Sequence, residues 1–167
     1  VTTAQIQSNR VQSLYKQNLE RLGLLTSRTQ LRLSLQYYLT NGNRAAQNKV
    51  TRIIGDAIQA IDEFETVHVL SLEGSIVAST DKAKVGEKLL TEEQLLAGRQ
   101  SAGGEILVLV GGEPKLLLIG PLLLEGQPIG LLVVQSATTL LQQVVQDYAG
   151  LGSSGGTIIA AKFDGVT

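Results

Sequence analysis

The sequence predicts an α+β fold in which a long N-terminal helix is followed by a five-stranded antiparallel sheet flanked by helices. Three observations carry that prediction. Residues 3 to 40 contain no proline and only one glycine, Gly23. Beyond Ile61 the spacing of apolar residues changes from the helical period to a period of two. The later apolar runs are nearly continuous and are separated by the turn-forming sequences GGEP and LEGQP.

Over residues 3 to 40 the chain is rich in Gln, Leu and Arg, which favour one continuous helix. At 100° per residue, Val11, Tyr15, Leu19, Leu22, Leu33 and Tyr37 fall on one side, and a second apolar strip of Leu24, Leu31, Leu35 and Leu39 appears later. Two strips imply two partners, one of them the chain's own sheet and the other a helix of a second subunit. Asn41-Gly42-Asn43 ends this helix. A second helix is expected from Arg44 to Ile61, with Val50, Ile53, Ile54, Ala57, Ile58 and Ile61 at helical spacing.

Strands are expected at Thr66 to Leu72 and Ser75 to Thr80, joined by a tight turn at Gly74. A short crossover helix from Thr91 to Gly98 has Thr91 as its cap and Glu92 and Glu93 in its first turn. Three further strands are placed at Glu105 to Val110, Lys115 to Pro121 and Ile129 to Ser136, and a last helix at Ala137 to Ala149. Continuous apolar strands require cover on both faces, so helices are expected on both sides of the sheet.

Composition narrows the function. The chain of 167 residues is 43% hydrophobic and 17% charged, the balance of a folded protein. It has four tyrosines, two phenylalanines and no tryptophan, which leaves few rings for base stacking and disfavours nucleic acid as a partner. Without cysteine, disulfides and thiolate metal sites are excluded. The uncharged stretch Gly126 to Gln146 approaches the length of a membrane span, but its glutamines, threonines and proline argue against one, and none is expected within the chain. Residues 1 to 55 hold eight Lys or Arg against Glu20 alone, whereas Asp62 to Asp147 is acidic, so the two parts are electrostatically complementary. The chain opens at Val1 and reads as a piece of a longer protein.

Three segments, SRTQLRLSLQYYL in the first helix, VHVLSLEGSIVASTDKAKVGEKL in the first hairpin and PLLLEGQPIGLLVVQSATTLL in the last, together resemble the extracytoplasmic Cache sensor domains of bacterial receptors. The resemblance covers nearly the whole chain. It implies a PAS-like sheet, a homodimer formed through the N-terminal helix, a small-molecule ligand and no cofactor. It also implies a place on the periplasmic or extracellular face of a membrane, with the parent receptor anchored by segments outside this chain. The tail GLGSSGGTIIAAKFDG is similar to the opening of a second such module, although Ser154 and Gly156 replace the usual threonine and glutamate. The expected division is therefore 1 to 40 as long helix, 41 to 150 as sensor module and 151 to 167 as tail. The family's amino-acid-binding signature includes tryptophan, which this chain lacks, so amino acid ligands are not implied.

Six residues are candidates for a ligand site. Ser79, Thr80 and Asp81 end a strand with three small hydrogen-bonding side chains. They either satisfy backbone groups where the strand leaves the sheet or present donors and acceptors to a small polar ligand. Arg28 and Arg32, four residues apart with no acid at helical spacing, suit either pairing with carboxylates of the acidic part or of a second subunit, or a ligand carboxylate. Arg21 lies on the same arc.

His68 is the sole histidine and sits in a strand. It is read as packed in the core, with a pocket role as the alternative. No nucleophile elbow or second metal ligand accompanies it, and GLGSSGG lacks the Lys-Ser/Thr ending of a phosphate loop, so nothing in the sequence supports an enzyme or a metal site. Two functions remain: a sensor that binds a small molecule and signals through its long helix, or a ligand-free scaffold that dimerises the receptor or meets a protein partner.

Overall fold

The computed structural model describes residues 3–101, 104–109 and 115–136. The expected helix 137 to 149, the GGEP turn and the tail lie outside the described residues. Three helices come first: α1 (Thr3–Thr26), α2 (Thr29–Asn41) and α3 (Arg44–Ala60). Then follow β1 (Phe64–Leu70), β2 (Ile76–Ser79), a single 3₁₀ turn at Lys82–Lys84, α4 (Glu92–Gln100), β3 (Glu105–Leu109), β4 (Lys115–Leu124) and β5 (Gln127–Ser136). The five strands form one antiparallel sheet in the order β2-β1-β5-β4-β3.

The N-terminal helix is not continuous as the sequence predicts. It breaks at Ser27-Arg28, where Arg28 adopts an extended backbone with φ −66° and ψ 113°. The cause is local: the Thr26 and Ser27 hydroxyls donate to the Gly23 and Leu24 carbonyls, each at 3.4 Å, and such side chains compete with the helical ladder. The next break falls where expected. Gly42 ends α2 in the left-handed region at φ 64°, and Asn43 caps α3 by accepting the Ala46 N–H at 3.0 Å.

Because the break resets the helical phase, the two predicted strips are redistributed. Leu22 and Leu25 of α1 and Leu31 and Leu35 of α2 enter the core, joined by Val50, Ile54 and Ala57 of α3. They meet Val67, Val69, Ala78, Leu118, Leu122, Leu132 and Val134 on one sheet face. Leu24, Leu33, Tyr37 and Leu39 are exposed instead, Leu24 at 66% and Tyr37 at 53%.

The other face is a second apolar cluster of Leu70, Ile76, Leu117, Ile119, Leu131 and Val133, covered by Leu95 of α4 and by Leu90. Each such side chain taken from water contributes about 1.5–3 kcal/mol, so both faces must be covered for the sheet to persist. Close approach of α4 depends on Gly98, where an added Cβ would stand 2.8 Å from Ile119 Cγ2. Thr91 caps α4 as expected, and Gln94 completes a capping box with it.

Candidate functional site

β1 and β2 pair so that His68 lies opposite Ser79, and on its other side His68 lies opposite Val133 of β5. Cross-strand neighbours share a face, so His68 and Ser79 stand on the α4 side of the sheet with Val133. The two side chains meet: Ser79 Oγ is 2.8 Å from His68 Nδ1. The same oxygen accepts the Asp81 N–H at 2.9 Å.

Thr80 and Asp81 complete the turn out of the strand. Thr80 Oγ1 accepts the Val67 N–H at 3.0 Å, and the Thr80 N–H donates to the Val67 carbonyl at 3.0 Å, which extends the ladder by one side chain. Asp81 Oδ1 accepts the Ala83 N–H at 3.1 Å and caps the 3₁₀ turn. Beyond it the segment returns along the outer edge of β2, with the Ile76 N–H donating to Glu87 O at 2.9 Å and the Gly86 N–H to Ile76 O at 2.8 Å. Residues 81 to 89 are all exposed.

His68 is 5% exposed. Burial holds its imidazole below the ordinary value of 6.5; the Asp81 and Glu87 carboxylates oppose that shift and Lys84 reinforces it. The ring is therefore neutral at pH 7. Lys84 is itself paired with Glu87 at 3.5 Å.

The two candidate arginines stand apart from this cluster. Arg32 donates to the Leu123 carbonyl at 2.9 Å near the β4–β5 turn, to the Ser27 carbonyl at 3.3 Å and to Thr29 Oγ1 at 3.4 Å. It thereby ties the helix break to the end of β4. Arg28 is exposed and provides the carbonyl that accepts the first N–H of α2, from Arg32, at 3.3 Å. Arg21 pairs with Glu63 at 3.0 Å, which joins the basic helix to the acidic part.

A concavity that the sequence does not anticipate lies between α2 and α3. This groove of about 410 Å³ is lined by Gln30, Leu33, Ser34, Tyr37, Asn43 and Lys49, among others. Lys49 Nζ donates to Gln30 Oε1 across it at 2.8 Å. The predicted second strip pointed to unpartnered apolar residues on this helix but placed them in the wrong phase. Among the described residues no three His, Asp or Glu side chains are grouped to hold a metal ion, and no helix is long and apolar enough to cross a membrane.

The strand order and the helices on both faces give a basis for comparison with known structures. The sensor domain of the V. cholerae histidine kinase DctB superposes with a TM-score of 0.63 at 16% identity, over 86% of this chain and 57% of that one. The chain has the PAS-like fold of that sensor domain. The E. coli DcuS sensor domain shares that fold at a TM-score of 0.57 and 16% identity, over 80% of this chain and 96% of its own. So does the ligand-binding domain of the Campylobacter jejuni chemoreceptor Tlp3, crystallised with L-norvaline, at 0.62 and 14% over 86% and 59%. The chain thus spans little more than half the length of the DctB and Tlp3 domains. No family model and no curated protein matches the sequence.

Proposed function

We propose that this chain is an extracytoplasmic sensing domain of a bacterial transmembrane receptor, such as a histidine kinase, chemoreceptor or cyclase. A small molecule binds on the sheet face that carries His68 and Ser79, beside the segment from Thr80 to Leu90. The N-terminal helices dimerise and pass the displacement toward the membrane. The observation that carries this reading is the division of the sheet into two faces within a sensor-domain fold. Helices α1 to α3 occupy one face, and the buried His68–Ser79 pair lies on the other, beside the exposed segment 81 to 89.

Arg32 links the helices to the sheet, since its guanidinium joins the α1–α2 break to Leu123 on β4. Signalling requires that the ligand prefer one arrangement of helices over another, and a strand-to-helix clasp offers such a difference.

The exposed Leu24, Leu33, Tyr37 and Leu39 favour a second reading, a dimerising scaffold that binds no small molecule. A thermal-shift screen against small carboxylates, amides, amines, sugars and purines separates the two. A ligand at a hundredfold excess over its dissociation constant stabilises the fold by about 2.7 kcal/mol. A clear rise in melting temperature supports the sensor; a flat response across the panel supports the scaffold.

A further inference from the structure

α2 and α3 form a hairpin through Gly42, and the groove between them has unequal walls. On the α3 side its lining is Ala45, Ala46 and Lys49, so two side chains of a single carbon leave a recess beside a cation. On the α2 side Leu33 and Tyr37 stand one turn apart, which puts them on one face of the helix. Both are exposed, and Lys49 reaches across the groove only to the neutral amide of Gln30. An apolar rail beside a recess is the form that receives the apolar face of a helix.

The charges state what that helix carries. From Arg21 to Gly55 the chain has no Asp or Glu and six Lys or Arg, namely Arg21, Arg28, Arg32, Arg44, Lys49 and Arg52. Arg21 is paired with Glu63, and Arg32 is held on backbone carbonyls. Lys49 and Arg52 are exposed neighbours three residues apart on α3, and among the described residues neither has a carboxylate partner. Acidic side chains laid there relieve a repulsion and form ion pairs. A second copy of these helices brings more cations instead, since residues 1 to 55 hold eight Lys or Arg against Glu20 alone.

We propose that the α2–α3 groove docks an acidic amphipathic helix of a second protein, which lays its apolar side chains against Leu33 and Tyr37 and its carboxylates against Lys49 and Arg52. This surface is separate from the face of His68 and Ser79 and does not depend on the sensing role.

The test uses the whole chain labelled with ¹⁵N and two stapled helical peptides, one of leucine and glutamate and one of leucine and lysine, with their leucines at i, i+3, i+4 and i+7. The glutamate peptide should shift the amide signals of residues 30 to 37 and 45 to 52, and the lysine peptide should not. Lys49→Glu combined with Arg52→Glu should weaken the glutamate peptide by about tenfold and let the lysine peptide bind. Leu33→Ser combined with Tyr37→Ser should weaken the glutamate peptide to a similar extent, with the backbone spectrum reporting that each variant is folded.

A glutamate peptide that shifts nothing in the groove overturns the proposal, as does equal binding of both peptides. Self-association in sedimentation that Leu33→Ser with Tyr37→Ser abolishes also overturns it, because the occupant is then a second copy. So do phosphatidylglycerol vesicles that shift the groove signals more than the glutamate peptide does, because the surface then meets a membrane.

Discussion

Gly130 of β5 runs so close to β1 that a methyl group added to it would stand 2.6 Å from the carbonyl oxygen of Leu70 and 3.0 Å from Leu35 Cδ2 of α2. Backbone cannot yield as a side-chain tip can, so Gly130→Ala should destabilise the fold by about 1–3 kcal/mol. Gly55, inside α3, has nothing within 4 Å of the equivalent point. There the same substitution removes only the entropic cost of a helical glycine, and Gly55→Ala should stabilise by about 0.5–1 kcal/mol. Urea denaturation of both variants reads the opposite signs.

The cover over the second cluster depends on how α4 starts. Thr91 Oγ1 accepts the Gln94 N–H at 3.2 Å, and Gln94 Oε1 accepts the Thr91 N–H at 2.9 Å. Thr91→Ala should cost about 1 kcal/mol. Amide exchange should rise first in α4, which opens from its capped end.

Stability should depend on pH through His68. Its folded value lies below 6.5 because of burial, so the unfolded chain binds the proton more readily than the folded one. The contribution is complete above pH 6.5, is lost as pH falls through 6.5 toward the lowered folded value, and is constant below that. Denaturation from about pH 7.5 to about pH 5.5 should show the loss in the wild type, and His68→Gln should remove this part of the slope.

The arginines separate by what they hold. Arg21 and Glu63 are both partly exposed, and such a pair is worth about 0.2–1 kcal/mol, so Arg21→Ala should have a small effect. Arg32 holds two carbonyls, one in the α1–α2 break and one on β4, and Arg32→Ala should cost about 1–2 kcal/mol, more than Arg21→Ala. Exchange should increase around Ser27 and at Leu123. A variant in which both sites exchange as in the wild type would remove the clasp.

Much of this architecture was legible because it follows from local rules. Asn41-Gly42-Asn43 acts through a left-handed glycine and a capping asparagine, and Thr91 caps its own helix, so each boundary is written in a few adjacent residues. The change of period after Ile61 marks the sheet equally directly. The break at Ser27-Arg28 is not legible, because no glycine or proline marks it and adjacent hydroxyls such as those of Thr26 and Ser27 are also accommodated inside helices.

Leu33 and Tyr37, placed in phase with Leu22, face solvent, and the α2–α3 groove went unnoticed. At the site, Ser79, Thr80 and Asp81 were identified as a group, but the meeting of Ser79 with His68 depends on strand register, which neither segment specifies alone. Arg32 stands out in the sequence for its unpaired charge, and its acceptors are the Leu123 and Ser27 carbonyls and the Thr29 hydroxyl, which no sequence pattern displays.

The central claim is that a small molecule is sensed on the face of His68 and Ser79. Hydrogen–deuterium exchange of the whole chain, with and without the compound that most raises its melting temperature, tests it most directly. The account predicts protection over residues 68 and 79 to 90, together with altered exchange at the Ser27-Arg28 break. Protection confined to the α2–α3 groove, from Gln30 to Lys49, would contradict it.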